Sequence, residues 1–211
     1  MGSAMLEITG LFLSVNGFIC VILACSLPLW KVPAFQGANI VTAVQTWEGL
    51  WMNCVSQSTG ELVCNTFDSV LILSEDLQVA RALTTTAGVL ATIGILVTIA
   101  GASWTKLIND VSRKARVISA GGFIFMVTGI LQLIPVSWTA NRIIKDFYNK
   151  SIPDNIKREL GPSLYIGMTA GVLFIAGSGL LWSSCCTSKA QRTHPAHYVR
   201  GQANYSQSHY V

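Results

Sequence analysis

The chain has 211 residues, of which 51% are apolar and only 11% charged, and its formal net charge is +4. A soluble domain carries about 25% charged residues. The composition therefore argues against a cytosolic enzyme, a nucleic-acid-binding protein and a disordered chain, and the charge is too diffuse to indicate a polyanionic partner.

Four long windows contain no Asp, Glu, Lys or Arg: residues 8–30, 82–105, 117–141 and 160–188. A membrane-spanning helix needs roughly 20 mainly apolar residues, so each window can hold one. We predict spans near residues 10–29, 82–102, 117–136 and 163–182, within a single membrane domain of residues 1–188.

The first window has a second interpretation, a secretory signal peptide. No Lys or Arg precedes it, and its apolar stretch exceeds the roughly 7–15 residues of a signal core. A retained span is therefore favoured. Small residues recur within the spans, and Gly167 and Gly171 have the GxxxG spacing that lets membrane helices pack closely.

An even number of spans places both termini on one side of the membrane. The extracellular segments would be residues 30–81 and 137–162, and residues 189–211 would form a cytoplasmic tail. The positive-inside rule does not decide the orientation, because each side would carry seven Lys and Arg residues. The density of basic residues in the short loop 106–116 favours a cytosolic position for that loop.

The six cysteines support the same orientation. Cys54 and Cys64 lie ten positions apart in the long first loop, which suggests a disulfide if that loop faces an oxidising compartment. All three histidines lie in the tail, so a zinc site is disfavoured and we predict no metal site or cofactor. No catalytic constellation is apparent, which argues against an enzyme.

The first loop has the pattern of a small sheet. Residues 29–34, 40–46, 50–55 and 61–67 are β-prone runs separated by turn residues. The last two runs would form a hairpin whose arms Cys54 and Cys64 join. Residues 68–81 have a helical period instead, which predicts a helix leading into the second span with Asp68 or Ser69 as its N-cap.

The extracellular residues carry a recognisable signature. Trp30, the triplet Gly49-Leu50-Trp51, and the pair Cys54 and Cys64 resemble the W…GLW…C…C pattern of the claudins, which are four-span proteins of tight junctions. The resemblance covers nearly the whole chain. It also includes Arg81 at the entry to the second span, residues 135–138 at the end of the third, residues 146–149 and 157–161 of the second extracellular segment, and the terminal Tyr210-Val211.

The resemblance implies a mainly α membrane protein, with a left-handed four-helix transmembrane bundle and a small five-stranded antiparallel extracellular β-sheet. Four strands would come from the first extracellular segment and one from the second. Trp30, Trp47 and Trp51 could seat the sheet at the membrane boundary, where tryptophan is favoured, or form a small extracellular core.

The resemblance also implies a function, which is adhesion and sealing between cells at tight junctions of the plasma membrane, with both termini cytoplasmic. The partners would be other claudins in the same and the opposing membrane. Val70 would insert into a neighbour's pocket formed by Phe147, Tyr148 and Leu160, although Phe147 and Tyr148 could instead pack within their own chain. Loop tips near residues 36–40 and 150–155 would make the head-to-head contacts.

Ion selectivity in the family is set by charge at positions that match Gln57 and Asn65, both neutral here. We therefore predict a barrier-forming claudin. The alternatives are a charge-selective paracellular channel and a related tetraspan protein that forms no strands.

The tail and the second extracellular segment carry further expectations. Tyr210 and Val211 suit the groove of a PDZ scaffold protein. Cys185 and Cys186 are candidates for palmitoylation, which would add a membrane-lipid contact, with unmodified thiols as the alternative. Lys150-Ser151 departs from the Pro-Leu common in relatives that bind clostridial enterotoxin, which argues against that partner. Asn149 begins a glycosylation sequon.

Overall fold

The structure, a computed structural model, describes residues 2–34, 45–56, 61–67, 73–105, 110–150 and 157–193. It is mainly helical. The four helices are α1 (Gly2–Ser26), α2 (Glu75–Gly101), α3 (Val111–Tyr148) and α4 (Pro162–Thr193). Each contains a stretch that is long and apolar enough to cross a membrane, which confirms the four predicted spans.

The helix boundaries differ from the predicted ones, most clearly in α3. The prediction ended the third span at residues 135–138, but α3 continues through Pro135 to Tyr148. The continuation is helical because it buries a face of its own, with Thr139, Ala140 and Ile143 almost completely enclosed. This tertiary packing outweighs the hydrogen bond lost at Pro135.

The other helices also extend beyond or start away from their predicted bounds. α1 begins at Gly2 rather than near residue 10 and ends at Ser26 rather than near 29. α4 continues past the predicted limit of the membrane domain, as far as Thr193.

The start of α2 corrects a second prediction. Leu73 and Ser74 are not helical, and Ser74 is the N-cap of a helix that begins at Glu75. The prediction of one continuous helix from residue 68 into the second span is therefore wrong at Leu73 and Ser74. The proposed caps Asp68 and Ser69 lie outside the described residues. The break occurs because Leu73 is buried beneath the sheet, while the Gln78 side-chain amide donates to its carbonyl at 2.9 Å.

The four helices form a bundle in which α1 and α3 each pack against α2 and α4. Its middle is filled by aromatic and small residues. Phe125 and Phe174 stack with ring centroids 5.9 Å apart. Gly171 permits the close approach of α4 to α3, since a Cβ there would lie 2.6 Å from Leu133 Cγ. The GxxxG spacing thus marks a true helix contact.

The segments between α1 and α2 and between α3 and α4 form one five-stranded antiparallel sheet. Its strands are β1 (Lys31–Pro33), β2 (Gln45–Glu48), β3 (Met52–Ser56), β4 (Leu62–Thr66) and β5 (Arg158–Leu160). Their order is β4-β3-β2-β1-β5, so the single strand of the second segment pairs with the first strand of the chain. This matches the sheet that the resemblance implied.

The sheet rests on one end of the bundle through a shared apolar core. That core takes residues from the segments next to the strands and from three helices, and Leu160 of β5 packs against it. Its buried members are Trp30, Leu50, Leu73, Leu77, Ala80, Val136, Ile143 and Leu164. The sheet is therefore fixed to the helices by burial of apolar surface.

Candidate functional site

The Gly49-Leu50-Trp51 triplet forms the turn between β2 and β3. The Gly49 N–H donates to the Met52 carbonyl at 3.0 Å, which closes the hairpin. Leu50 is completely buried in the core beneath the sheet. Gly49 passes so close to Pro28 that a Cβ would collide with the Pro28 backbone. The triplet therefore attaches the hairpin to the end of α1.

Two further signature residues lie next to this turn. Trp30 is fully buried, and its indole N–H donates to the Ala24 carbonyl at 2.7 Å. Trp51 is partly exposed, and the Arg81 guanidinium carbon lies 3.7 Å from the centroid of its ring. Trp30 thus belongs to the protein core rather than to a lipid boundary, and the cation–π contact joins α2 to the turn.

The disulfide between Cys54 and Cys64 is present, as predicted. The two residues are directly opposite each other on β3 and β4, so the bond joins adjacent strands of the hairpin. The bond and the backbone pairing therefore restrain the same hairpin.

Ion pairs connect strands and helices across the sheet. Lys31 Nζ lies 2.7 Å from an Asp76 carboxylate oxygen at the start of α2. Arg158 donates to Glu48 at 2.9 Å and to the Thr46 carbonyl at 2.7 Å, which joins β5 to β2 across β1. These four charges neutralise one another locally, whereas Glu61 and Glu159 are exposed on the sheet.

A cavity of about 250 Å³ lies where the C-terminal end of α3 meets β5. It brings together all three residues predicted to form the pocket: Phe147, Tyr148 and Leu160. Sequence reasoning missed three other apolar or aromatic members of its wall, Ile143, Ile144 and Tyr165. Ile143 and Ile144 were missed because the third span was expected to end before them, and a helical period continued past Pro135 would have found them.

The two aromatic residues of this cavity differ in exposure. Phe147 is half-buried and meets Tyr148 edge to face, with ring centroids 5.7 Å apart. Tyr148 is 78% exposed. Packing within the chain thus holds Phe147, while most of the Tyr148 surface is left open to a neighbour.

The remaining predicted residues are distributed elsewhere. Asn65 is exposed on β4, opposite Asn53. Cys185 is half-buried and its thiol donates to the Ala115 carbonyl at 3.2 Å, whereas Cys186 is exposed. Val70, Gln57, Tyr210, Val211 and the loop tips 36–40 and 151–155 lie outside the described residues. Within the described ranges, no three His, Cys, Asp or Glu side chains cluster as metal ligands.

Four membrane-length helices that carry a disulfide-linked sheet at one end define a tetraspan membrane protein. The chain belongs to the PMP-22/EMP/MP20/Claudin family, which matches residues 1–181. It is 49% identical to rat Claudin-3 over 180 residues, covering 85% of this chain and 82% of that relative. It is 44% identical to dog Claudin-4 over 211 residues and to human Claudin-6 over 222 residues, with complete coverage of each pair.

These relatives and the four apolar helices support a multi-pass membrane protein of tight junctions. Claudins are structural proteins of those junctions rather than enzymes. Membership of the same family suggests that such proteins associate with one another at tight junctions.

Proposed function

We propose that the chain polymerises within one membrane and across the intercellular gap, and that its strands seal the paracellular space. The extracellular sheet would face the neighbouring cell, with both termini and the tail in the cytoplasm. The disulfide supports this orientation, because such bonds persist in oxidising compartments. The cavity between α3 and β5 is the observation that carries the proposal.

The cavity suits an apolar side chain from a neighbour in the same membrane. Its wall is rich in apolar and aromatic surface from Ile143, Ile144, Phe147 and Leu160. We assign Val70 of the neighbour as the inserting residue. Burying one such side chain contributes about 1.5–3 kcal/mol, which becomes sufficient when the contact repeats along a strand of molecules confined to a membrane.

A second contact surface lies at the opposite edge of the sheet. β4 is the edge strand, and its Leu62 and Val63 are 58% and 39% exposed. An edge strand with exposed apolar side chains is a template for association with another chain. The cavity beside β5 and the edge at β4 therefore give each molecule two lateral faces, as a polymer requires.

The distribution of charge favours a barrier. Lys31, Asp76, Glu48 and Arg158 neutralise one another within the sheet, and Asn65 presents no charge. Fields decay over about 8 Å in physiological salt, so local charge governs a wide pore. Glu61 and Glu159 remain exposed and favour the second candidate, a cation-selective paracellular channel.

Conductance across a monolayer of claudin-null epithelial cells tests the sealing function. We expect expression of this chain to leave cation conductance unchanged or to lower it. Asn65→Asp should raise the cation-to-anion permeability ratio and Asn65→Lys should lower it, which supplies matched controls at one exposed position. A several-fold rise in cation conductance with the unmodified chain would contradict sealing and support the channel.

We also propose two cytoplasmic contacts. Tyr210 and Val211 would add a strand to the groove of a PDZ scaffold protein, with the terminal carboxylate held by backbone N–H groups. Palmitoylation would anchor the end of α4, and the exposed thiol of Cys186 is better placed for it than the inward thiol of Cys185. Clostridial enterotoxin remains disfavoured because of Lys150 and Ser151.

A further inference from the structure

A second concave surface lies along α3. It encloses about 420 Å³ and is lined by Ile134, Ser137, Trp138, Asn141, Arg142 and Lys145. The spacing of three and four residues places all six on one face of the helix. None of them lines the contact cavity beside β5, whose residues from α3 are Ile143, Ile144, Phe147 and Tyr148.

The surface changes in character along the helix axis. Ile134 and Trp138 are 45% and 54% exposed, so apolar and aromatic surface is presented outside the bundle. Ser137 and Asn141 add polar groups beside the ring, and Arg142 and Lys145 add two positive charges further along. The order along α3 is thus apolar, aromatic, polar and cationic.

This order matches the depth profile of a bilayer. From Val117, the first residue of the third charge-free window, to Trp138 an α-helix rises about 32 Å, close to the roughly 30 Å hydrocarbon thickness. Arg142 lies about 6 Å beyond Trp138 and Lys145 about 10 Å beyond it, which corresponds to the headgroup layer and its outer edge. Trp138 is therefore at the boundary and the two cations are above it.

The two cations lack partners among the described residues. No described acidic side chain lies within salt-bridge distance of Arg142 or Lys145, whereas Lys31, Arg113 and Arg158 each have one. Asp146 follows Arg142 by four positions but is not paired with it. The surface thus retains a net positive charge at headgroup height.

We propose that this surface binds a sulfated glycolipid of the outer leaflet. Its chain would lie along Ile134 and its first sugar against the Trp138 ring, with Ser137 and Asn141 beside the hydroxyls. The sulfate would lie between Arg142 and Lys145. Arg142 lies about one helical turn beyond Trp138 along the helix axis. A sulfate must therefore be attached to the first sugar, which packs on the Trp138 ring, if it is to reach Arg142.

The choice of lipid rests on the proposed orientation, which places this end of α3 in the outer leaflet. Phosphatidylserine and phosphoinositides are concentrated in the cytoplasmic leaflet, so an anionic lipid at this height carries its charge on a sugar instead. The two cations also suit a sulfate better than an uncharged headgroup, because charge-assisted hydrogen bonds are about twice as strong as neutral ones.

The test uses the purified full chain in phosphatidylcholine nanodiscs that contain sulfated galactosylceramide, uncharged galactosylceramide or phosphatidylserine. Native mass spectrometry counts the lipid that stays bound. We expect several-fold higher retention of the sulfated lipid than of either other lipid. Arg142→Gln with Lys145→Gln should abolish the preference, and Trp138→Ala should reduce retention of both galactolipids.

The matched control is Arg113→Gln with Arg116→Gln, which removes two exposed cations from the other end of the same helix. It should leave the preference intact. Three results would overturn the proposal. They are equal retention of the two galactolipids, stronger retention of phosphatidylserine, and association of two chains through Arg142 in plain phosphatidylcholine. Because nanodiscs measure binding without strands or cell contact, a failure here is distinguishable from a failure of the sealing function.

Discussion

Glu7 is a buried acid at the end of the bundle where α2 and α4 finish. It is only 7% exposed. Its carboxylate accepts a hydrogen bond from the Ser103 backbone N–H at 3.1 Å and from the Ser184 hydroxyl at 3.2 Å. One side chain near the start of α1 therefore connects to residues 96 and 177 positions away. The sequence placed Glu7 just outside the first charge-free window and gave no sign of these contacts.

Replacing Glu7 with Ala should destabilise the bundle. The hydrogen bonds from the Ser103 N–H and the Ser184 hydroxyl to the carboxylate would be lost, and a hydrogen bond to a charged group contributes about 1.5–3 kcal/mol. Glu7→Gln retains one acceptor oxygen and should cost less. Thermal unfolding in detergent measures the difference, and equal stability of the Ala variant and the unmodified chain would contradict this role.

The adjacent cysteines at the end of α4 should differ in acylation. Cys186 is exposed, whereas the Cys185 thiol points towards the Ala115 carbonyl and packs beside the apolar core. We expect Cys186→Ser to remove most palmitate, as detected by acyl exchange on protein from cells, and Cys185→Ser to remove little. The reverse order would indicate that the C-terminal end of α4 rearranges before modification.

At the scale of elements, the β2–β3 turn should be sensitive to a single methyl group. Gly49→Ala places a Cβ against the Pro28 backbone, which is not a flexible side chain and cannot move aside cheaply. The hairpin would shift away from α1 and draw Leu50 out of the core. We expect loss of thermal stability and of surface expression in Gly49→Ala, while alanine at the exposed Ser103 serves as the control.

The disulfide should contribute to the free energy of unfolding separately from the packing of the four helices. Its short loop implies about 2–3 kcal/mol in the chain-entropy description. Cys54→Ser with Cys64→Ser should therefore lower the unfolding temperature while the four helices remain, as judged by circular dichroism. An unchanged unfolding temperature would mean that strand pairing alone fixes the hairpin.

The elements themselves were predictable to different degrees. The four spans follow from windows without charge, because lipid tolerates few charged groups and each span needs about 20 residues. The C-terminal part of α3 did not follow, since its helical state depends on burying Thr139 and Ile143 against the rest of the protein. The predicted start of α2 was wrong for the same kind of reason, because burial of Leu73 interrupts an otherwise helical period.

The contacts within the site were less predictable than its residues. The resemblance supplied Trp51 and Arg81 as separate positions, but only the fold brings the guanidinium over the ring. Lys31 and Asp76 are 45 positions apart, and Arg158 is 110 from Glu48, so no local period relates them. Sequence reasoning therefore missed that several of these charges neutralise one another.

At the scale of the whole molecule, strand formation should depend on the cavity beside β5. Tyr148→Asp introduces a charge at a wall residue that is 78% exposed, so the fold should survive. We expect continuous strands in freeze-fracture replicas of non-junctional cells expressing the unmodified chain, and fragmented or absent strands with this variant. Arg113→Gln, which removes an exposed charge at the other end of α3, should leave them continuous.

Intact strands with Tyr148→Asp would show that the cavity is dispensable for polymerisation. If the unmodified chain reached the cell surface and still formed none, the non-strand-forming tetraspan alternative would be favoured. Surface biotinylation of each variant separates these outcomes from a failure of export.

The unbroken course of α3 has a geometric consequence for any array built from this protein. One continuous helix of 38 residues holds both a membrane-length stretch and part of the wall of the cavity. In a flat membrane, every copy therefore presents that wall at the same distance from the bilayer surface. A row joined through it must stay level, so a vertical step between adjacent copies would require the helix to kink or the lipid to deform.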